Sequence, residues 1–418
     1  MIEFSRRVLA NGLKVIYHPD LASPSVVLNL LYNVGSRVED PEKTGFAHLF
    51  EHLMFGGSAN IPSYDTPLQR VGGQNNAFTS QDITNYYLTL PAANAETGFW
   101  LESDRMQALN FDPEVLEVQR KVVIEEFKQR YLNQPYGDFW LKIFPLAYKV
   151  HPYRWPTIGK ELAHIERFTM DDVRNFFYSY YGPNNATLVI AGNIAEADAW
   201  SLADKWFGSI PSIDVKQKAL PTEPAASHFQ KEDLYADVPV DAVYLAYKVG
   251  KRGDAEYHAT DLLGDILGRG KSSVLFEKLV RQAGIFTSLS AYNLGNLDPG
   301  LLIVEGKVAP NATAEEGCNA LLRAIESFVQ TGASEAEVEK ARNQAATSFE
   351  FNQLELLNRA MNLAYFELLG GAESLNQEAE RILAVSQAEV NAAARQYLRP
   401  ENCSAILYHK REQATAIA

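Results

Sequence analysis

His48, Glu51 and His52 stand within one five-residue stretch, His48-Leu49-Phe50-Glu51-His52. In a helix, residues three and four apart share a face, so all three side chains point the same way. Two imidazoles one turn apart are a natural pair of zinc ligands. A carboxylate between them can take the proton of a zinc-bound water. The neighbours Phe46, Leu49, Phe50, Leu53, Met54 and Phe55 would cover every side of such a helix, which predicts that it is buried. Buried carboxylates and imidazoles need partners, and a metal ion satisfies all three groups.

A catalytic zinc takes three protein ligands and keeps one position open. The best source of the third is the helical run Gln119 to Glu126. Glu125 has Lys121 and Gln129 one turn away, a solvent-facing pattern, whereas Glu126 sits over Val122 and Val123. The periodicity favours Glu126 as the ligand and Glu125 as a surface charge.

The elements that must position these residues belong to a large chain. At 418 residues it calls for two or more domains, and 46% apolar with 22% charged residues is the composition of a globular protein. No run approaches the roughly 18 apolar residues of a membrane span. The start, Met1 to Arg7, lacks an apolar leader, so the chain as written reads as cytoplasmic, or periplasmic if a leader has been removed. Cys318 and Cys403, the only cysteines, lack zinc spacing and suit packing in a reducing compartment. A net charge of −14 argues against a nucleic-acid partner.

The chain repeats itself. Thr169-Met170-Asp171-Asp172-Val173 leads to Tyr180, Pro183, Asn185 and the apolar run 186–191. Ser386-Gln387-Ala388-Glu389-Val390 leads to Tyr397, Pro400, Asn402 and the run 403–408. An interval of 217 residues separates Val173 from Val390, Tyr180 from Tyr397, Pro183 from Pro400 and Asn185 from Asn402. Both segments read as a capped helix, a proline turn and a strand. Such a period predicts an internal duplication and an α+β fold of two homologous α/β domains. Each would be a mostly antiparallel sheet with helices packed on one face. The expected division is a zinc-binding domain at 1–210, a proline-rich linker at 211–229 and a non-catalytic domain at 230–418.

With its His48-Leu49-Phe50-Glu51-His52 motif and Glu126 following His52 by 74 residues, the chain resembles the pitrilysin/insulinase family of zinc peptidases, the inverzincins. Gly45, the stretch Asn76-Ala77-Phe78-Thr79-Ser80, Thr84-Asn85-Tyr86-Tyr87 and the Pro183 turn extend the likeness over nearly the whole sequence. The resemblance implies that His48, His52 and Glu126 hold one Zn2+, that Glu51 is the general base, and that peptides or unfolded segments are cut. It also implies that Asn76, Ala77, Phe78 and Thr79 form an edge strand to which the substrate adds as another strand.

The sequence departs from the family pattern in two ways. Gln119 stands where members often carry a Glu that steers a zinc ligand, and an amide there can still hydrogen-bond an imidazole. In the second half, Val280 and Thr287 occupy the places of an Arg/Tyr pair that helps hold the substrate carbonyl. Arg281 is one residue off, and Tyr292 lies further along. Members of this family enclose substrate in a four-domain chamber, and two domains supply half of one. The resemblance therefore implies a heterodimer with a homologous chain that lacks the zinc motif and carries the Arg/Tyr pair, a homodimer being the lesser option. A non-catalytic peptide-binding or scaffold subunit is the alternative function.

Overall fold

The computed structural model describes residues 1–216 and 218–411. Six strands form the first sheet: β1 (Ser5–Val8), β2 (Lys14–Pro19), β3 (Ser25–Tyr32), β4 (Gln74–Thr79), β5 (Thr84–Pro91) and β6 (Ala186–Gly192). Five form the second: β7 (Gln230–Ala236), β8 (Ala242–Lys248), β9 (Phe286–Asn293), β10 (Leu301–Val308) and β11 (Cys403–Lys410). The orders are β1-β2-β6-β3-β5-β4 and β7-β11-β8-β10-β9. In each sheet one pair is parallel, β2 with β6 and β7 with β11, and the other pairs are antiparallel. Apart from β1, the two sheets share one topology. The α+β class and the two related α/β sheets hold.

The helices repeat as well. The first half carries α1 (Phe46–Leu53), α2 (Asp65–Arg70), α3 (Ala95–Gln107), α4 (Pro113–Phe127), α5 (Phe139–Ala147), α6 (Leu162–Glu166), α7 (Met170–Tyr180) and α8 (Glu196–Phe207). The second carries α9 (Tyr257–Gly268), α10 (Ala314–Thr331), α11 (Glu335–Asn352), α12 (Leu356–Leu368), α13 (Glu378–Ala384) and α14 (Gln387–Tyr397). The predicted caps are present. Thr169 with Asp172 opens α7 and Ser386 with Glu389 opens α14, each as a reciprocal capping box. The turn asparagines repeat a bond too, Asn185 donating to the Tyr180 carbonyl and Asn402 to the Tyr397 carbonyl, both at 2.8 Å.

The expected boundaries at 1–210, 211–229 and 230–418 follow the repeat along the chain, whereas contacts divide it differently. One compact unit comprises 1–127, 155–220 and 349–378, and the other 128–154, 221–348 and 379–418. The halves exchange a helix. On the first sheet, Ala360, Leu363 and Ala364 of α12 cover Ile16, Val27, Leu31, Val189 and Ala191. On the second, Phe139, Ile143 and Ala147 of α5 cover Tyr244, Ala246, Ile303 and Tyr408. Each sheet thus has its own half's helices on one face and a single helix from the opposite half on the other. Full burial of one Leu or Phe is worth about 1.5–3 kcal/mol, so each exchanged helix contributes substantially. Between α11 and α12 the helical run breaks at Gln353-Leu354-Glu355. The break lets α12 enter a unit other than the one that holds α11. No helix among the described residues is long and apolar enough to cross a membrane.

Candidate metal centre

Helix α1 is pinned on its apolar side. Phe46, Ala47, Leu49, Phe50 and Leu53 are buried. Phe46 meets Phe168 edge-on at 4.5 Å between ring centroids, and Phe50 lies 4.3 Å from Tyr181. Such aromatic pairs fix the rotation of the helix about its axis. His48, Glu51 and His52 then occupy the remaining face, all half-buried.

The start of α1 is held by a residue the motif does not contain. Glu39, 2% exposed, accepts from Gly45 N at 3.0 Å, Ala47 N at 2.8 Å and Trp155 Nε1 at 3.0 Å. The Glu39 carboxyl oxygens thereby satisfy orphan N–H groups at the start of the helix. Burial pushes its pKa up to about 8, against the opposing pull of those N–H donors. Gly45 itself has φ +90°, and a Cβ there would meet the Ile158 carbonyl oxygen at 2.5 Å. Only glycine fits this entry to the helix.

Helix α4 brings Glu126 to the histidines. Its Oε2 lies 3.2 Å from His48 Nε2 and 3.4 Å from His52 Nε2. Zinc bonds of about 2.0–2.2 Å at tetrahedral angles separate ligand atoms by about 3.3–3.6 Å, so the three donors fit one small divalent ion. Among the described residues these three form the one such group of His, Cys, Asp and Glu. Without an ion, burial pulls the His48 pKa down, but hydrogen bonding with Glu126 and Glu51 outweighs it and raises the group to about 9. Glu125 points to solvent. Of the two valines below Glu126, Val123 is fully buried and Val122 is 45% exposed, so only Val123 marks the buried side of α4.

Glu51 stands beside this triad. Its Oε2 is 3.7 Å from His48 Nδ1 and accepts from Thr79 Oγ1 at 2.5 Å. Thr79 ends β4, which is the edge of the first sheet, and Asn76, Ala77 and Phe78 precede it on that strand. Asn76 Oδ1 accepts from the Ala77 N–H at 2.8 Å, and Phe78 is exposed. Gln119 lies two turns before Glu126 on α4, half-buried, and donates to neither imidazole. In the second half, Arg281 is exposed and paired with Glu277 at 2.9 Å, while Thr287 Oγ1 donates to the Lys307 carbonyl at 3.2 Å. Glu39 was missed because its role rests on backbone N–H groups, which leave no pattern of residue types. The Thr79–Glu51 bond was missed because it joins a strand to a helix 28 positions away.

Residues 14–135 match the sequence profile described as insulinase (peptidase family M16), and 167–345 match the one described as the peptidase M16 inactive domain. The zinc protease PqqE of Helicobacter pylori is 32% identical over 81% of this chain and 78% of its own. A crystal structure of a Helicobacter pylori protease superposes with a TM-score of 0.90 at 28% identity, covering 98% of this chain and 99% of that one. The periplasmic protease PqqL of Escherichia coli gives a TM-score of 0.80 at 19% identity, a likeness of fold. There the match covers 98% of this chain and only 48% of that one.

Proposed function

This chain belongs to the insulinase (M16) family of peptidases, and from that premise we propose that it is a zinc endopeptidase of peptides and unfolded segments with Glu51 as its general base. The observation that carries this reading is the triad of His48, His52 and Glu126 with a separate carboxylate alongside it. Zinc, when bound, would polarise the scissile carbonyl and acidify water. The protein groups do the rest. His48, His52 and Glu126 hold the ion, Glu51 takes the proton of the attacking water, and Glu51 then returns it to the leaving amine. Thr79 holds that carboxylate in place. Asn76 to Thr79 at the open sheet edge receives an extended peptide as an added strand, which reads backbone rather than side chains. The test is Glu51→Gln, in which zinc should remain stoichiometric while hydrolysis of a fluorogenic peptide slows by about 10²–10⁴. Wild-type turnover by that variant would remove the assignment.

The working enzyme in this proposal is a heterodimer. Val280 and Thr287 supply neither an oxyanion donor nor a carbonyl clamp, and a related chain with Arg and Tyr would provide both. Support comes from the coverage of PqqL, a single chain about twice this length. The scaffold reading draws on the description of the 167–345 match as an inactive domain. That segment lies wholly outside His48, Glu51, His52 and Glu126, although it begins within the first half and takes in α7, β6 and α8.

A further inference from the structure

Strands β8, β9 and β10 present a charged floor where α5 stops covering the second sheet. Successive cross-strand rows on this face read Tyr292 beside Ile303, then Ser290, Glu305 and Tyr244, then Ser288 and Lys307. Tyr136, from the segment leading into α5, and Trp140, from the first turn of α5, form a wall beside them, bordering an open cleft of about 680 Å³. That is the size of a small-ligand site.

The polar groups of the floor are incompletely matched. Lys307 Nζ lies 3.1 Å from the centre of the Tyr136 ring and donates to Tyr244 Oη at 2.6 Å. Glu305 accepts from Ser290 Oγ at 3.0 Å. Neither is in a salt bridge, with each other or with any other described residue. Desolvation lowers the Lys307 pKa to about 8, partly opposed by the Glu305 charge. Half-buried charges without ionic partners cost stability, and a well-packed apolar pair would avoid that cost. The duplication does not require them. On the face of the first sheet that receives α12, β5 carries Asn85, Tyr87 and Thr89, none of them charged.

We propose that this cleft is a binding site for a dipeptide with free termini, its carboxylate on Lys307 and its ammonium on Glu305. Glu305 and Lys307 stand two apart on β10, and the roughly 6.6 Å between such positions matches the length of an extended two-residue peptide, up to about 7 Å, laid along the strand. Tyr136, Tyr292 and Trp140 leave apolar surface for its side chains. The site is separate from the zinc-ligand triad and does not depend on that assignment.

Calorimetric titration of the zinc-loaded full chain with Ala-Phe, its N-acetyl form and its C-terminal amide tests the site. Ala-Phe should bind, and each blocked form should bind at least tenfold more weakly. Glu305→Gln should lose affinity for Ala-Phe yet no longer distinguish it from N-acetyl-Ala-Phe. Lys307→Met should likewise cease to distinguish Ala-Phe from its amide. This crossed pattern assigns each terminus to its residue. Binding that is unchanged in both variants would place the peptide elsewhere, the zinc site included, and overturn the proposal. So would an absence of heat at millimolar peptide. Should Lys307→Met fail to fold, the volume-conserving Glu305→Gln with the acetylated peptide decides alone.

Discussion

Each side chain at the proposed centre has a distinct signature when altered. Glu51→Gln keeps both imidazoles and Glu126 in place, so zinc content should stay near one per chain while kcat falls by about 10²–10⁴, the usual worth of a positioned base. Glu126→Gln should lose zinc on dialysis, and Glu125→Gln should not. The reverse result would mean that the solvent-facing carboxylate is the ligand after all. Thr79→Val removes the hydroxyl that orients Glu51. A hydrogen bond to a charged group is worth about 1.5–3 kcal/mol, so kcat should drop tenfold or more with zinc retained. The motif residues were legible because helical spacing is a local property of the sequence. Glu126 was legible through periodicity, although Val122 turned out exposed. Thr79 was read only as part of a strand, because its partner is fixed by tertiary packing.

At the scale of elements, the capped helices and proline turns were legible down to repeated hydrogen bonds, since caps depend on residue type at fixed offsets. The entry to α1 was not, because Glu39 acts on backbone groups. Glu39→Gln retains shape but places an amide against N–H donors. We expect a stability loss of about 1–3 kcal/mol by denaturant unfolding, with weaker zinc retention. Unchanged zinc affinity would show that α1 needs no such anchor. A second carboxylate ties the exchanged segment to β8. Glu223 accepts from the N–H groups of Lys149, Val150 and His151 and pairs with Lys248 at 2.8 Å. Desolvation would raise its pKa, but Lys248 and those N–H groups outweigh it and bring the group down from 4.5 to about 2. Because the folded value is the lower one, this stabilisation is present above about pH 4.5 and fades as pH falls toward 2. Glu223→Gln should therefore flatten the acid limb of the unfolding curve over that window. An unaltered limb would contradict the assignment.

At the scale of the molecule, the duplication was legible in the 217-residue interval but the helix exchange was not. Periodicity identifies a helix and its apolar face, whereas α5 and α12 have equally apolar faces for either sheet. The proposed partner makes its own prediction: the purified chain should bind zinc yet cleave poorly, and a related chain bearing the Arg/Tyr pair should restore activity. Full activity from this chain alone, undiminished by Arg281→Ala and Tyr292→Phe, would remove the need for it. The exchange also bears on how the protein is made. A ribosome adds roughly 5–20 residues each second, and domains tend to fold as they emerge. The first sheet is complete once Gly192 has been synthesised, but α12 begins at Leu356, about 160 residues or roughly 10–30 s later. A first half that folds before α12 emerges would carry Val27, Leu31, Val189 and Ala191 uncovered on that face of its sheet. Residues 1–220 expressed alone should be insoluble, and co-expressed 221–418 should rescue them by delivering α12 in trans.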